Sequence, residues 1–171
     1  MKAPETSLAP VLILACGNPS RGDDALGPLL LERLQNWLDS AGLAAGFDLI
    51  GDFQLQIEHA LDLVGRRLVL FIDAGEQSAA PFVFRQARAA AGRDLANPGT
   101  HALSPEAVLA VLARINHAAP PPAFVLCVRA ECFALGAGLS PAASSHAECA
   151  FELLQALCRV AKLEAWMSQL T

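Results

Sequence analysis

Two adjacent carboxylates, Asp23 and Asp24, a third at Asp73 and an imidazole at His101 are the side chains of this sequence whose types suit metal chemistry. Two carboxylates and one ring nitrogen can hold a divalent transition ion with coordination positions left open, and nickel, zinc, manganese and iron all accept such a set. Each residue also has an ordinary structural use. A carboxylate in the first turn of a helix caps it or opposes its dipole, a strand-end aspartate caps the turn that follows, and a lone histidine packs or is solvated. The metal reading therefore depends on whether the elements carrying these residues bring them together.

Leu8 to Ala15 is a continuous apolar run, the pattern of a strand covered on both faces by helices. Gly17, Pro19 and Gly22 turn the chain. From Asp23 onward Leu26, Leu29, Leu30, Leu34, Trp37 and Leu38 recur at helical spacing, with Pro28 near the start and Gly42 as the stop. Phe47 to Asp52 reads as a second strand, and Leu55 to Val64 as a helix whose inner side is Leu55, Ala60, Leu61 and Val64. Arg67 to Asp73 is a buried third strand ending in a carboxylate. Phe82 to Gln86, behind Pro81, is an edge strand. Ala87 to Thr100 is small and polar and reads as a mobile loop that delivers His101. Ser104-Pro105 opens a helix with Val108, Leu109, Leu112 and Ile115 inward, closed by Pro120 to Pro122. Phe124 to Val128 is the last strand, and Ser140-Pro141 opens a C-terminal helix with Phe151, Leu153, Leu154, Leu157 and Val160 as core positions.

This alternation predicts an α/β fold, one five-stranded and mostly parallel sheet with helices on both faces. The first three strands then present their carboxyl ends along one edge, where open α/β sheets keep their ligands. Asp23, Asp24, Asp73 and His101 can all lie there.

The totals exclude several classes of function. At 171 residues the chain is the size of one domain, and 54% hydrophobic against 17% charged residues gives no case for disorder. Lys and Arg number 12 against 17 Asp and Glu, a net charge of -5, which leaves no electrostatic footprint for nucleic acid or an anionic membrane surface. The longest apolar run is about half a membrane span, with no cationic leader before it. Five cysteines without C-x-x-C spacing argue against a disulfide framework and a zinc knuckle, so a cytoplasmic setting is expected. Gly17 to Gly22 lacks the Lys-Ser/Thr of a P-loop and the G-x-G-x-x-G spacing, and no G-x-S-x-G elbow occurs.

The blocks Gly17-Asn18-x-x-x-Gly22-Asp23-Asp24-x-x-Gly27, Phe71-Ile72-Asp73-Ala74, Thr100-His101-Ala102-Leu103-Ser104-Pro105 and Glu131-Cys132-Phe133-x-x-Gly136-x-Gly138-Leu139-Ser140-Pro141 resemble, in this order, the [NiFe] hydrogenase maturation proteases. The resemblance runs from about Leu8 to Leu157. It implies a three-layer α/β/α endopeptidase that removes the C-terminal extension of a [NiFe] hydrogenase large-subunit precursor after nickel insertion. Matched by motif, the metal ligands are Asp24, Asp73 and His101, with nickel supplied by the precursor as a recognition element. Some members carry Glu where Asp24 stands. Where members often show Gly-Thr after the second strand, this chain has Asp52-Phe53-Gln54-Leu55-Gln56-Ile57-Glu58-His59, whose Gln-Leu-x-x-Glu stretch resembles the branch serving soluble or bidirectional hydrogenases. Asn18, Gln54, Glu58 and His59 are accordingly expected to face the substrate, and Asp23 is the expected general base. The rival readings are a metal-binding maturation chaperone on the same fold that cuts nothing, and a small-molecule hydrolase or nucleotide binder at the sheet edge.

Overall fold

The computed structural model describes residues 8–91 and 103–171. Five strands, β1 (Val11–Cys16), β2 (Phe47–Asp52), β3 (Leu68–Gly75), β4 (Phe82–Ala87) and β5 (Ala123–Arg129), form one sheet in the order β2-β1-β3-β5-β4. All neighbouring pairs are parallel except β4 with β5. The predicted five-stranded, mostly parallel sheet is present, with β4 at an edge as Pro81 suggested. The backbone N–H of Thr171 donates to the Phe84 carbonyl (3.0 Å), and its hydroxyl accepts from the Phe84 N–H (2.9 Å), so the chain's last residue covers part of that edge.

Side chains alternate between the two faces of the sheet because strand residues have a period of two. Val11, Ile13 and Ala15 of β1, with Leu68, Leu70 and Ile72 of β3, pack under α1 (Leu26–Ala41) and α4 (Pro141–Arg159). Leu12, Leu14, Val69 and Phe71 face α2 (His59–Asp62) and α3 (Pro105–Asn116) on the other side. The result is a three-layer α/β/α sandwich. Helix α1 buries Leu26, Leu30, Leu34 and Leu38, one stripe at four-residue spacing, each contributing about 1.5–3 kcal/mol by burial. Helices α3 and α4 both begin as their sequences predict: the Ser104 and Ser140 hydroxyls accept from the Ala107 and Ala143 N–H groups, and proline occupies the first turn.

Three expectations are corrected. The helix expected over Leu55 to Val64 is reduced to the single turn α2, and across that segment Leu55, Ala60 and Leu63 are buried while Leu61 and Val64 are exposed. The backbone there makes three-residue hydrogen bonds (His59 to Gln56, Ala60 to Ile57, Leu61 to Glu58), and this tighter winding shifts the inward phase from the α-helical one. Ile115 is exposed because it lies in the last turn of α3, which His117 closes in a left-handed conformation before the prolines are reached. Val160 is exposed because α4 ends at Arg159, and the next core residue along the chain is Trp166 of α5 (Leu163–Met167). The Trp166 indole donates to the Leu157 carbonyl (2.9 Å) and meets Phe124 edge-on at 5.3 Å. The loop expected up to Thr100 lies outside the described residues from position 92 onward, and so does His101.

Candidate functional site

After β1 the chain crosses by α1 to β2 on one side, and β3 lies on the other side of β1, so the topological switch falls between the carboxyl ends of β1 and β3. The register sets out what stands there. Cys16 pairs with Asp52 of β2; Ala15 pairs with Ile72, which puts Asp73 beside Cys16; and Asp73 pairs with Cys127 of β5. Asp52, Cys16, Asp73 and Cys127 therefore cross the edge in one row. The turn after β1 adds Asp24, carried on a short 3-10 helix over Gly22–Ala25 that leads into α1.

Asp24 and Asp73 are each held by one backbone N–H. Asn18 donates to Asp24 Oδ2 (2.9 Å) and Ala74 donates to Asp73 Oδ1 (2.8 Å), and among the described residues the second oxygen of each carboxylate has no hydrogen-bond donor. Asp73 keeps an exposed surface, but desolvation of its carboxyl among the crowded strand ends pushes it up to about 6; the Ala74 N–H works in the opposite direction, and the negative charge of Asp24 adds to the rise. The Cys16 thiol is pushed up to about 12 by burial and by Asp73, Asp52 and Asp24 together, so it is a neutral thiol ringed by three carboxylates. A carboxylate whose proton affinity is raised by a neighbouring negative charge is relieved by a cation placed beside it. This donor set fits a divalent ion, although the described residues contain no group of three His, Cys, Asp or Glu arranged to hold one.

The raised Asp73 gives a sign to the pH dependence of stability. A carboxyl near 6 in the folded chain and near about 4 in the unfolded chain binds its proton more tightly when folded, so stability falls as pH rises from about 4 to 6 and is level above that. Asp73→Asn is expected to match the parent at pH 4 and exceed it by up to about 1 kcal/mol at pH 7.5, solvent screening of this exposed residue limiting the gain. Urea denaturation at the two pH values measures this, and equal stability at pH 7.5 would contradict it.

Asp23 does not stand in the position of a base. It is 0% exposed, and its carboxylate accepts four hydrogen bonds: from Glu131 N–H (2.8 Å), Cys132 N–H (2.9 Å), Ser140 N–H (2.7 Å) and the Ser140 hydroxyl (2.9 Å). Burial alone would raise its pKa, but these bonds from Ser140, Glu131 and Cys132 hold it below the usual carboxylate value. Both oxygens are engaged and no water reaches them. Asp23 ties the 3-10 turn to the segment before α4, aided by backbone bonds from Gly22 to Ala137, from Asp23 to Cys132 and from Gly136 to Ser20. Gly22 is needed because its φ is +55° and a Cβ there would run into the Cys132 carbonyl.

The other predicted residues separate. Asn18 holds the turn: its side-chain oxygen accepts from the Ser20 N–H (2.9 Å) while its own N–H anchors Asp24. Gln54 is half-buried and Glu58 exposed on the segment leaving β2. His59, expected to face the substrate, is turned inward at 7% exposure; its Nδ1 accepts from the Gln56 N–H (2.9 Å) and its Nε2 lies 3.4 Å from Asp52 Oδ2. Asp52 itself was missed, although it carries the signal that marked Asp73, a carboxylate on the last residue of a strand.

No protein-family model and no curated protein matches the chain. Solved structures do. A [NiFe] hydrogenase maturation protease HycI from Thermococcus kodakarensis KOD1 is 21% identical over 87% of this chain and 92% of its own, with a TM-score of 0.64. The hydrogenase maturating endopeptidase HybD from E. coli is 22% identical over 88% of this chain and 93% of its own, also with a TM-score of 0.64. An uncharacterized protein from Wolinella succinogenes is 18% identical over 91% of this chain and 100% of its own, at 0.57. With the carboxylates of two separate sequence blocks at its switch edge, the chain has the fold of the [NiFe] hydrogenase maturation proteases.

Proposed function

We propose that the protein is an endopeptidase that removes the C-terminal extension of a [NiFe] hydrogenase large-subunit precursor. Nickel already bound by the precursor would be recognised by Asp24, Asp73 and His101. The observation that carries this reading is the pairing of Asp24 and Asp73 at the switch edge, each fixed by one backbone N–H with a second oxygen free of donors among the described residues. Two oriented carboxylates bind a bare ion weakly, so a metal held mainly by the precursor supplies the missing affinity and restricts cleavage to loaded substrate. The reaction is hydrolysis: water's hydroxyl joins the scissile carbonyl carbon, and the leaving amine takes a proton. All five cysteines are free thiols, which supports action in the reducing cytoplasm.

The test is mass spectrometry of the purified precursor large subunit after incubation with this protein. Loaded precursor is expected to lose its extension while nickel-free precursor stays intact, and Asp24→Ala, Asp73→Ala and His101→Ala are each expected to slow cleavage by about 100-fold or more, the scale of losing a metal ligand or its orienting partner. Intact loaded precursor that still binds the protein would favour a metal-binding chaperone. Normal cleavage by all three variants would remove the metal assignment, and equal cleavage of nickel-free precursor would remove the licensing role.

A further inference from the structure

The two edges of the sheet differ. The β4 edge is partly covered by Thr171, whereas among the described residues β2 pairs with β1 alone. Gly17 N–H donates to the Asp52 carbonyl (3.1 Å), so Asp52 turns its backbone polar groups toward β1. Successive strand residues alternate in this respect, which turns the N–H and C=O groups of Leu49 and Gly51 to the outer side. Among the described residues no backbone group meets them there. An unpaired strand edge is a template for one more strand.

Beside that edge runs a groove of about 470 Å³ between α1 and β2, reaching Gly17 and Asp52 at the switch edge. Its apolar wall includes Pro28, Leu31, Leu49 and Phe53, and its two charged lining residues, Glu32 and Asp52, are both acidic. Phe53 is 68% exposed, a large aromatic presented to solvent at the mouth. Leu49, Gly51 and Phe53 are alternate positions of the chain at β2, so the groove repeats at the period of an extended peptide. A free ladder gives an added strand its main-chain bonds, and a lined groove beside it selects alternate side chains.

We propose that the outer edge of β2 and this groove seat the precursor's C-terminal extension as an added strand, alternate apolar side chains lying on Leu31, Leu49 and Phe53 and a basic side chain meeting Glu32. This rests on the proteolytic reading above and names where that substrate lies. An extension bound this way leads directly to Gly17 and Asp52, and so to the edge that holds Asp24 and Asp73.

The probe is a fluorescein-labelled synthetic peptide of the precursor's C-terminal extension, titrated by anisotropy and paired with steady-state processing of the loaded precursor. Phe53→Ala and Glu32→Lys are each expected to weaken peptide binding about tenfold or more and to raise KM of processing in step, with kcat changed less than about twofold, as for interactions made equally in ground and transition states. Ile115→Ala, an exposed apolar change on α3, is expected to bind as the parent does. N-methylation of one alternate set of peptide amides is expected to abolish binding and of the other set to spare it. Equal tolerance of both sets, or unchanged binding by Phe53→Ala and Glu32→Lys, would overturn the added strand. Cleavage with unchanged KM in those variants would sink the groove and leave the protease; variant-sensitive peptide binding without any cleavage would do the reverse. A parent that neither binds nor cuts would end both.

Discussion

Asp23→Ala is expected to destabilise the protein by about 3–5 kcal/mol, because four donors converging on a fully buried carboxylate lose their charged acceptor at once. For a chain of this size that lowers the melting temperature by roughly 10 °C or more. Processing is expected to fall as well, since Asp24 loses the anchor of its turn. The neighbouring Asp24→Ala is expected to cost less than about 1 kcal/mol, as it gives up one partly exposed bond to Asn18, while slowing processing by about 100-fold or more. Thermal unfolding of the two variants side by side separates clamp from ligand. Were Asp23→Ala to unfold with the parent and merely stop cleaving, the clamp would be refuted and the general-base role restored.

Gly17→Ala is expected to be the second severe change, at about 3 kcal/mol or more, because a strained backbone adds to a steric clash that only a main-chain shift relieves. Gly17 has a φ of +145°, and a Cβ there would run into the Asp24 carbonyl and crowd Pro28. The turn packs directly on the backbone of the residue it must aim. Movement that relieved the clash would displace Asp24, so the variant is expected to process precursor slowly even where it stays folded. Gly138→Ala is the control: a Cβ there meets nothing within 4 Å, and its effect is expected to stay within about 0.5 kcal/mol. Urea denaturation of the pair decides, and equal stability of Gly17→Ala with the parent would contradict the close packing.

Much of this was legible in the sequence because the signals are local. Apolar runs gave the strands, the Ser-Pro pairs gave the starts of α3 and α4, and a carboxylate at a strand end or helix start marked Asp73 and Asp24. The middle segment was harder. Leu55 to Val64 carries a helix-like apolar pattern, but its backbone winds with three-residue hydrogen bonds, which left Leu61 and Val64 outside. His59 turned inward for the same reason.

The sequence by itself determined the α/β alternation, the parallel core strands and the placement of Asp24 and Asp73 at element ends, since periodicity and caps act over a few residues. Only the tertiary structure decided what Asp23 does. Its partners lie 108 to 117 residues away, and no local pattern specifies a hydrogen bond across that distance. Strand order was likewise a tertiary outcome: it placed β1 between β2 and β3, made their carboxyl ends the switch edge, and left one side of β2 unpaired among the described residues. Twin aspartates that look alike in the chain are thereby divided, one buried as a clamp and the other left at the switch edge with an oxygen that no described donor meets.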